Sequence, residues 1–182
     1  MEDTFDVVFV CTGNRFRSPI AAAVFAAATA GQPVRTRSLG TLNVSGAPAL
    51  PEAQRVCSLY GLDLSRHRSR RLGDLPLEDS DLVVGFEPKH VARAVVDGSA
   101  RRQRSFLLTE LVETLDECEL LKAGNAVSCA RAAVWMAHER RADGHAMPIP
   151  DPFGGSPSEY EHTAALVHDL TTRLAGLLFA RE

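Results

Sequence analysis

The sequence predicts an α/β fold: a three-layer sandwich with a four-stranded parallel sheet flanked by helices. Two apolar runs rich in β-branched and aromatic residues, Phe5 to Val10 (FDVVFV) and Asp81 to Phe86 (DLVVGF), read as strands buried on both faces. Segments of helical composition follow each of them directly, and strands alternating with helices argue for parallel pairing. The chain then closes on a long stretch of helical periodicity.

Taken in order, the first strand ends at Cys11. A glycine-containing loop, Thr12 to Arg17, leads into Ser18-Pro19-Ile20 and an alanine-rich stretch ending at Gly31. Proline favours the first helical turn and glycine the position past the last, so residues 19–30 read as one helix. Val34 to Leu39 is the second strand. Leu50 to Tyr60 is a helix stopped by Gly61, with Ala53, Val56, Cys57 and Tyr60 on one face. After the third strand comes a helix from about Pro88 to Val96, then a fourth strand from Gln103 to Leu108. Ser156-Pro157-Ser158-Glu159 is a capping box with proline at the first helical position. Tyr160, Ala164, Val167, Leu170, Leu174 and Leu178 then recur at helical spacing. Without a repeat, linker or low-complexity tract, residues 1–182 are expected to form a single domain.

Composition narrows the classes of function. The 182 residues are 45% hydrophobic and 24% charged, enough for one core of ordinary size. A net charge of −3 offers no global attraction to nucleic acid or an anionic membrane, so any phosphate chemistry has to be local. The acidic start, MEDTFD, lacks the basic region of a signal peptide, and no uncharged apolar stretch is long enough for a membrane span. A cytoplasmic protein is expected. Cys11, Cys57, Cys118 and Cys129 form no CxxC pair and no zinc-type spacing with histidine, so free thiols and no metal or other cofactor are expected.

Ligands of parallel α/β sheets bind beyond the carboxyl ends of the strands, which is where Cys11 sits. From it runs Cys11-Thr12-Gly13-Asn14-Arg15-Phe16-Arg17-Ser18, a cysteine and an arginine separated by five residues between a strand and a helix. A loop of this length can turn successive backbone N–H groups inward, and the helix after it adds its positive end. The result is a concave site for a phosphoryl group. The same field stabilises a thiolate, making Cys11 a nucleophile near neutral pH. Arg17 can hold two phosphoryl oxygens with its planar fork. Gly13 and Asn14 suit a backbone that visits positive φ, and Ser18 can donate a hydrogen bond to the thiolate.

The run VVFVCTGNRFRSP resembles the signature of the low-molecular-weight protein tyrosine phosphatases, V-F-V-C-x-G-N-x-C-R-S-P after the first strand. Pro150-Asp151-Pro152-Phe153-Gly154 resembles the acid loop of that family, in its place before the final helix. Ser38-Leu39-Gly40-Thr41, Gly61-Leu62-Asp63 through His67-Arg68, and Asp81-Leu82-Val83-Val84 extend the likeness over most of the chain. The resemblance implies a flavodoxin-like topology and hydrolysis of phosphomonoesters, above all protein phosphotyrosine, through a phosphocysteine. It also implies Asp151 as the general acid, a role the chemistry requires, because a departing alkoxide or phenoxide is a poor leaving group until protonated. Substrate contacts are expected from Thr12, Gly13, Asn14, Arg15, Phe16, Ser18 and Phe153.

The chain departs from the family pattern in several places. Phe16 replaces the second loop cysteine, which rules out a protective disulfide inside the loop. Phe153 is followed by Gly154 rather than a second aromatic, and Leu42, Asn43 and Val44 stand where aromatics are expected. Arg15 occupies a position that is often apolar; it either favours a second negative charge on the substrate or points to solvent. About forty residues separate Leu108 from Asp151, and part of that excess, Ala126 to Arg141, has helical composition. With Ala130, Ala133, Val134, Ala137 and Arg141 along one stripe, this extra helix extends the core, roofs the site or mediates a dimer. His138 and His145 read as solvated surface residues. A monomer or weak dimer acting on a phosphorylated protein or a small phosphomonoester is expected, with arsenate reduction as a further reading of the same loop.

Overall fold

The computed structural model describes residues 3–118, 124–141 and 146–179. Four strands, β1 (Phe5–Cys11), β2 (Val34–Gly40), β3 (Leu82–Gly85) and β4 (Ser105–Leu107), form one sheet in the order β2-β1-β3-β4. Every neighbouring pair is parallel, which is the flavodoxin-like arrangement. Among the described residues six α-helices connect and follow them: α1 (Arg17–Ala28), α2 (Pro51–Leu59), α3 (Pro88–Gly98), α4 (Leu108–Asp116), α5 (Ala126–Glu139) and α6 (Pro157–Phe179).

β1 is buried along its whole length, and its alternate side chains define the three layers. Phe5, Val7, Phe9 and Cys11 point into the larger core with residues of α1, α2, α4, α5 and α6. Val8 and Val10 point the other way, against Leu39, Leu72, Leu77 and Ala94 of α3. Burying each such side chain contributes about 1.5–3 kcal/mol. Asp6 is the exception in the strand; its carboxylate is buried, and Arg35 and Arg37 both donate to it, removing the cost of an isolated charge. Phe179 at the end of α6 meets Phe5 and Phe25 edge-on, at 5.4 and 6.2 Å between ring centres. The last helix is thereby packed against the first.

Three details differ from the sequence expectations. α1 starts at Arg17 rather than Pro19, which puts Arg17 and Ser18 in its first turn; Pro19 fits because the first turn's N–H groups have no helical acceptor anyway. β4 is only three residues, preceded by a short 3-10 turn at 102–104. α4 was not expected, because its apolar residues Leu108, Leu111, Val112 and Leu115 follow β4 with no turn residue to mark the change. Glu110 starts it by accepting from Leu107 N–H at 3.0 Å.

The extra helix α5 extends the core. Val127, Ala130, Ala133, Val134 and Ala137 are buried against it, and Asn125 caps it by accepting from Ser128 N–H at 2.8 Å. Arg131 bridges Asp3 and Asp81 at the amino end of the sheet, opposite Cys11, so α5 does not roof the end that carries the Cys11 loop. His138 is partly buried rather than solvated, and His145 lies outside the described residues. No helix among the described residues is long and apolar enough to cross a membrane.

At the carboxyl end of the sheet Gly40 lies in register with Cys11. A Cβ there would meet Thr12 O at 2.9 Å and Asn14 N and Gly13 C at 3.0 Å, all backbone atoms that cannot rotate away. Gly40→Ala is therefore expected to lower the unfolding free energy by about 1–3 kcal/mol. Urea denaturation measures this, and an unchanged midpoint would contradict the close approach.

Candidate active site

The loop Thr12–Phe16 crosses the end of the sheet from β1 into α1. Asn14 takes a left-handed conformation, φ 52°, that few residues adopt. Its side chain holds the turn: Nδ2 donates to Ser18 Oγ and Ser38 Oγ, both at 2.9 Å, and Oδ1 accepts from Arg70 N–H at 2.9 Å. The Asn14 carbonyl accepts from His67 Nε2–H at 2.7 Å. Ser18 Oγ stands 3.0 Å from Cys11 Sγ. With Asn14 donating into its oxygen, the serine keeps its own proton for the sulfur, or for Leu39 O at 3.3 Å. A thiolate at Cys11 is thereby provided with a donor.

Arg17 is 1% exposed, and both terminal nitrogens of its guanidinium have partners. Nη1 donates to Glu87 Oε1 at 2.6 Å and to Ile149 O at 2.8 Å. Nη2 donates to Thr12 Oγ1 at 3.1 Å and lies 2.7 Å from Asp151 Oδ2. Ile149 N–H in turn donates to Phe86 O at 2.7 Å, which fastens the segment carrying Asp151 to the end of β3. Phe153 N–H donates to the other oxygen of Asp151 at 3.3 Å.

His90, buried in α3, completes the support. Its Nδ1 accepts from the N–H groups of Glu87 and Phe86, at 3.1 and 3.4 Å, so the proton of the neutral ring sits on Nε2. That Nε2–H donates to Thr12 Oγ1 at 3.0 Å. Burial, and next the positive charge of Arg17, push His90 down to about 4, so it stays neutral at physiological pH. Thr12 Oγ1 thus accepts twice and keeps its own hydroxyl proton as a donor.

A cavity of about 250 Å³ opens above the loop, lined by Cys11, Thr12, Gly13, Arg15, Phe16, Arg17 and Asp151, with Leu42, Val44, Leu50 and Phe153 adding apolar surface. Of the residues expected from sequence, eight therefore share one cavity. Asn14 and Ser18 do not line it: Asn14 makes its bonds inside the protein, and Ser18 reaches the cavity only through Cys11. Phe16 is 4% exposed and packs edge-on against Tyr160 of α6, 5.1 Å between ring centres, so it is as much a core residue as a lining one. Sequence reasoning missed Glu87, His90 and the Ile149 carbonyl. The available signal was the position of Glu87 and His90, just beyond the carboxyl end of the strand next to β1. Among the described residues no three histidine, cysteine or carboxylate side chains are grouped to hold a metal ion. All four cysteines are free; Cys57 is buried in the core, its thiol pushed up to about 11 by that burial.

The family model for low molecular weight phosphotyrosine protein phosphatase matches residues 6–126, which include the whole Cys11 loop. The chain belongs to that family. Among its relatives, a probable low molecular weight protein-tyrosine-phosphatase, EpsP, from Ralstonia solanacearum is 37% identical over 43% of this chain; the match spans 52% of that relative's length. A protein-arginine-phosphatase from Bacillus subtilis is 28% identical over 93% of this chain and 94% of its own. The crystal structure of a low molecular weight protein tyrosine phosphatase from T. tengcongensis superimposes with a TM-score of 0.70 at 27% identity, covering 94% of this chain and 97% of that one.

The neutral His90 gives the fold of this family member a definite pH dependence. Its folded value, about 4, lies below the ordinary 6.5, so between these values the unfolded chain binds more protons. Stability is expected to be full above pH about 6.5 and to fall as pH drops towards about 4, by on the order of 3 kcal/mol. His67, also lowered by burial, adds to the slope in the same direction. Denaturant titrations across this range should show a shallower slope for His90→Asn than for the unaltered protein; equal slopes would contradict the assignment.

Proposed function

We propose that this chain is a cysteine-dependent phosphomonoesterase that hydrolyses protein phosphotyrosine. One observation carries the reading: Cys11 Sγ, 3.0 Å from Ser18 Oγ, shares a cavity with Arg17 and Asp151, whose charged groups are 2.7 Å apart. The phosphoryl group sits over the loop, its oxygens held by inward backbone N–H groups and by Arg17. Asp151 enters this half of the reaction as the carboxylic acid. The Cys11 thiolate attacks phosphorus, the P–O bond to the phenol breaks, and the Asp151 proton passes to the leaving oxygen. In the second half Asp151, now a carboxylate, takes a proton from water as that water attacks phosphocysteine. Inorganic phosphate forms and the thiolate departs onto the Ser18 hydroxyl proton. Charge stabilisation throughout comes from Arg17 and the loop amides.

The apolar surface of Leu42, Val44, Leu50 and Phe153 suits a phenol ring. The relative named as an arginine phosphatase raises phosphoarginine as a second substrate class. Arg15 at the cavity disfavours it, because the leaving group there is itself a guanidine. A small phosphorylated metabolite fits the same chemistry and belongs in the same substrate panel. Arsenate reduction by a thiol relay finds little support: Cys11 is the only cysteine among the lining residues, and Cys57 is buried with a raised thiol value. The protein would act as a single cytoplasmic domain over residues 1–182, as a monomer or weak dimer, without a metal or nucleic acid partner.

Steady-state hydrolysis of an aryl phosphate in the presence of a chelator tests the mechanism. Cys11→Ser should abolish turnover, and activity surviving in that variant would overturn the reading. Asp151→Asn should lower kcat by about 10²–10⁴-fold while the protein stays folded. A panel of phosphotyrosine and phosphoarginine peptides with small phosphate esters then ranks the substrate classes, and kcat/KM should be highest for phosphotyrosine.

A further inference from the structure

Arg15 stands at the cavity with its Nε donating to Pro48 O at 2.9 Å and its backbone carbonyl accepting from Leu50 N–H at 2.8 Å. The side chain is anchored, yet no carboxylate among the described residues pairs with it. Arg68 and Arg70 are exposed on a segment stitched to the same loop: Arg70 N–H donates to Asn14 Oδ1, and His67 Nε2–H to Asn14 O. Ser69 ties that segment to Ala47 beside Pro48, with Ser69 N–H donating to Ala47 O at 2.8 Å. Arg68 donates only to the carbonyls of Ser65 and His67, which orient it without neutralising it. Arg71, the next residue along, is by contrast paired with Asp74 at 2.7 Å.

His67, whose ring touches Asn14, is held below its ordinary value first by burial and then by the charges of Arg70 and Arg68, against the hydrogen bond to Asn14. Among the described residues Asp151 is the only carboxylate lining the cavity, and it is engaged with Arg17. A chain with net charge −3 thus presents uncompensated positive charge beside its reaction centre.

We propose that Arg15, Arg68 and Arg70 form an anion-binding rim that selects phosphotyrosine flanked by acidic residues in a peptide. The inference rests on the phosphatase reading of Cys11 and adds the substrate class. Phosphoryl binding and leaving-group protonation belong to the groups below; the rim adds attraction for carboxylates on the adjoining residues. Such exposed pairs are individually weak and act mainly on encounter and binding.

The test compares phosphotyrosine peptides identical except for two flanking positions carrying Asp, Asn or Lys. At low salt kcat/KM is expected to favour the Asp over the Asn peptide by about three- to tenfold, expressed in KM rather than kcat. That ratio should fall towards one in about 0.5 M NaCl, where exposed charges are screened. Arg15→Gln and the double variant Arg68→Gln, Arg70→Gln should each lower it. Equal kcat/KM for Asp and Asn peptides, or a ratio untouched by every variant, overturns the rim. Fluorescence anisotropy of the same peptides bound to Cys11→Ser reads the preference without turnover, so a failure of the catalytic reading stays distinguishable from a failure of the rim. If a small ester bearing a second phosphate gains from the three arginines while the Asp peptides do not, the peptide class is overturned.

Discussion

A buried guanidinium cannot stand alone, and the site is built around that constraint. Arg17, at the first turn of α1, is almost fully removed from water and so needs anionic and carbonyl partners at close range. It finds Glu87 after β3, the carbonyl of Ile149, Asp151, and the hydroxyl of Thr12. These four come from three separated parts of the chain. Satisfying one charge therefore fixes the distance between the Cys11 loop and the Asp151 carboxylate.

Beneath that charge lies a layer of neutral polar groups whose donors and acceptors match. Asn14, Ser18, Ser38 and the Arg70 N–H hold the left-handed turn, while His90 locks Thr12 through a tautomer set by two backbone N–H groups. Buried networks of this kind are rigid because each unmade bond would leave a desolvated group unpaired. The inner surface is accordingly fixed, whereas the outer surface is apolar and partly exposed; Leu42 is 51% and Phe153 73% accessible.

Phe16 shows how a departure in sequence is absorbed. Where relatives are expected to carry a second loop cysteine, this chain places a ring against Tyr160 of α6. A disulfide within the loop is impossible with Phe16 at this position, and the ring adds a packing contact between the loop and the last helix. The extra helix α5 is absorbed differently, as added core at the amino end of the sheet, remote from the reaction centre.

The parallel sandwich and the Cys11 to Ser18 loop were legible in the sequence because both follow from local order: a buried strand, a short glycine-bearing loop, a helix with proline in its first turn. Asp151 was legible only through its likeness to a known motif, since an Asp-Pro turn by itself has no assigned chemistry. α4 was hidden because nothing in the sequence separates it from β4, and a short apolar run does not reveal its period until a helix follows. Glu87 and His90 were hidden for a different reason. Their roles are set by what Arg17 and Thr12 require across a gap of about seventy residues or more, and such pairing is decided when the strands align, not by any neighbour along the chain. The sequence alone placed Cys11 and Arg17 at the two ends of one loop between a strand and a helix. Tertiary structure alone decided which buried partners hold that arginine, because burial of charge is a property of the assembled sheet and not of a segment.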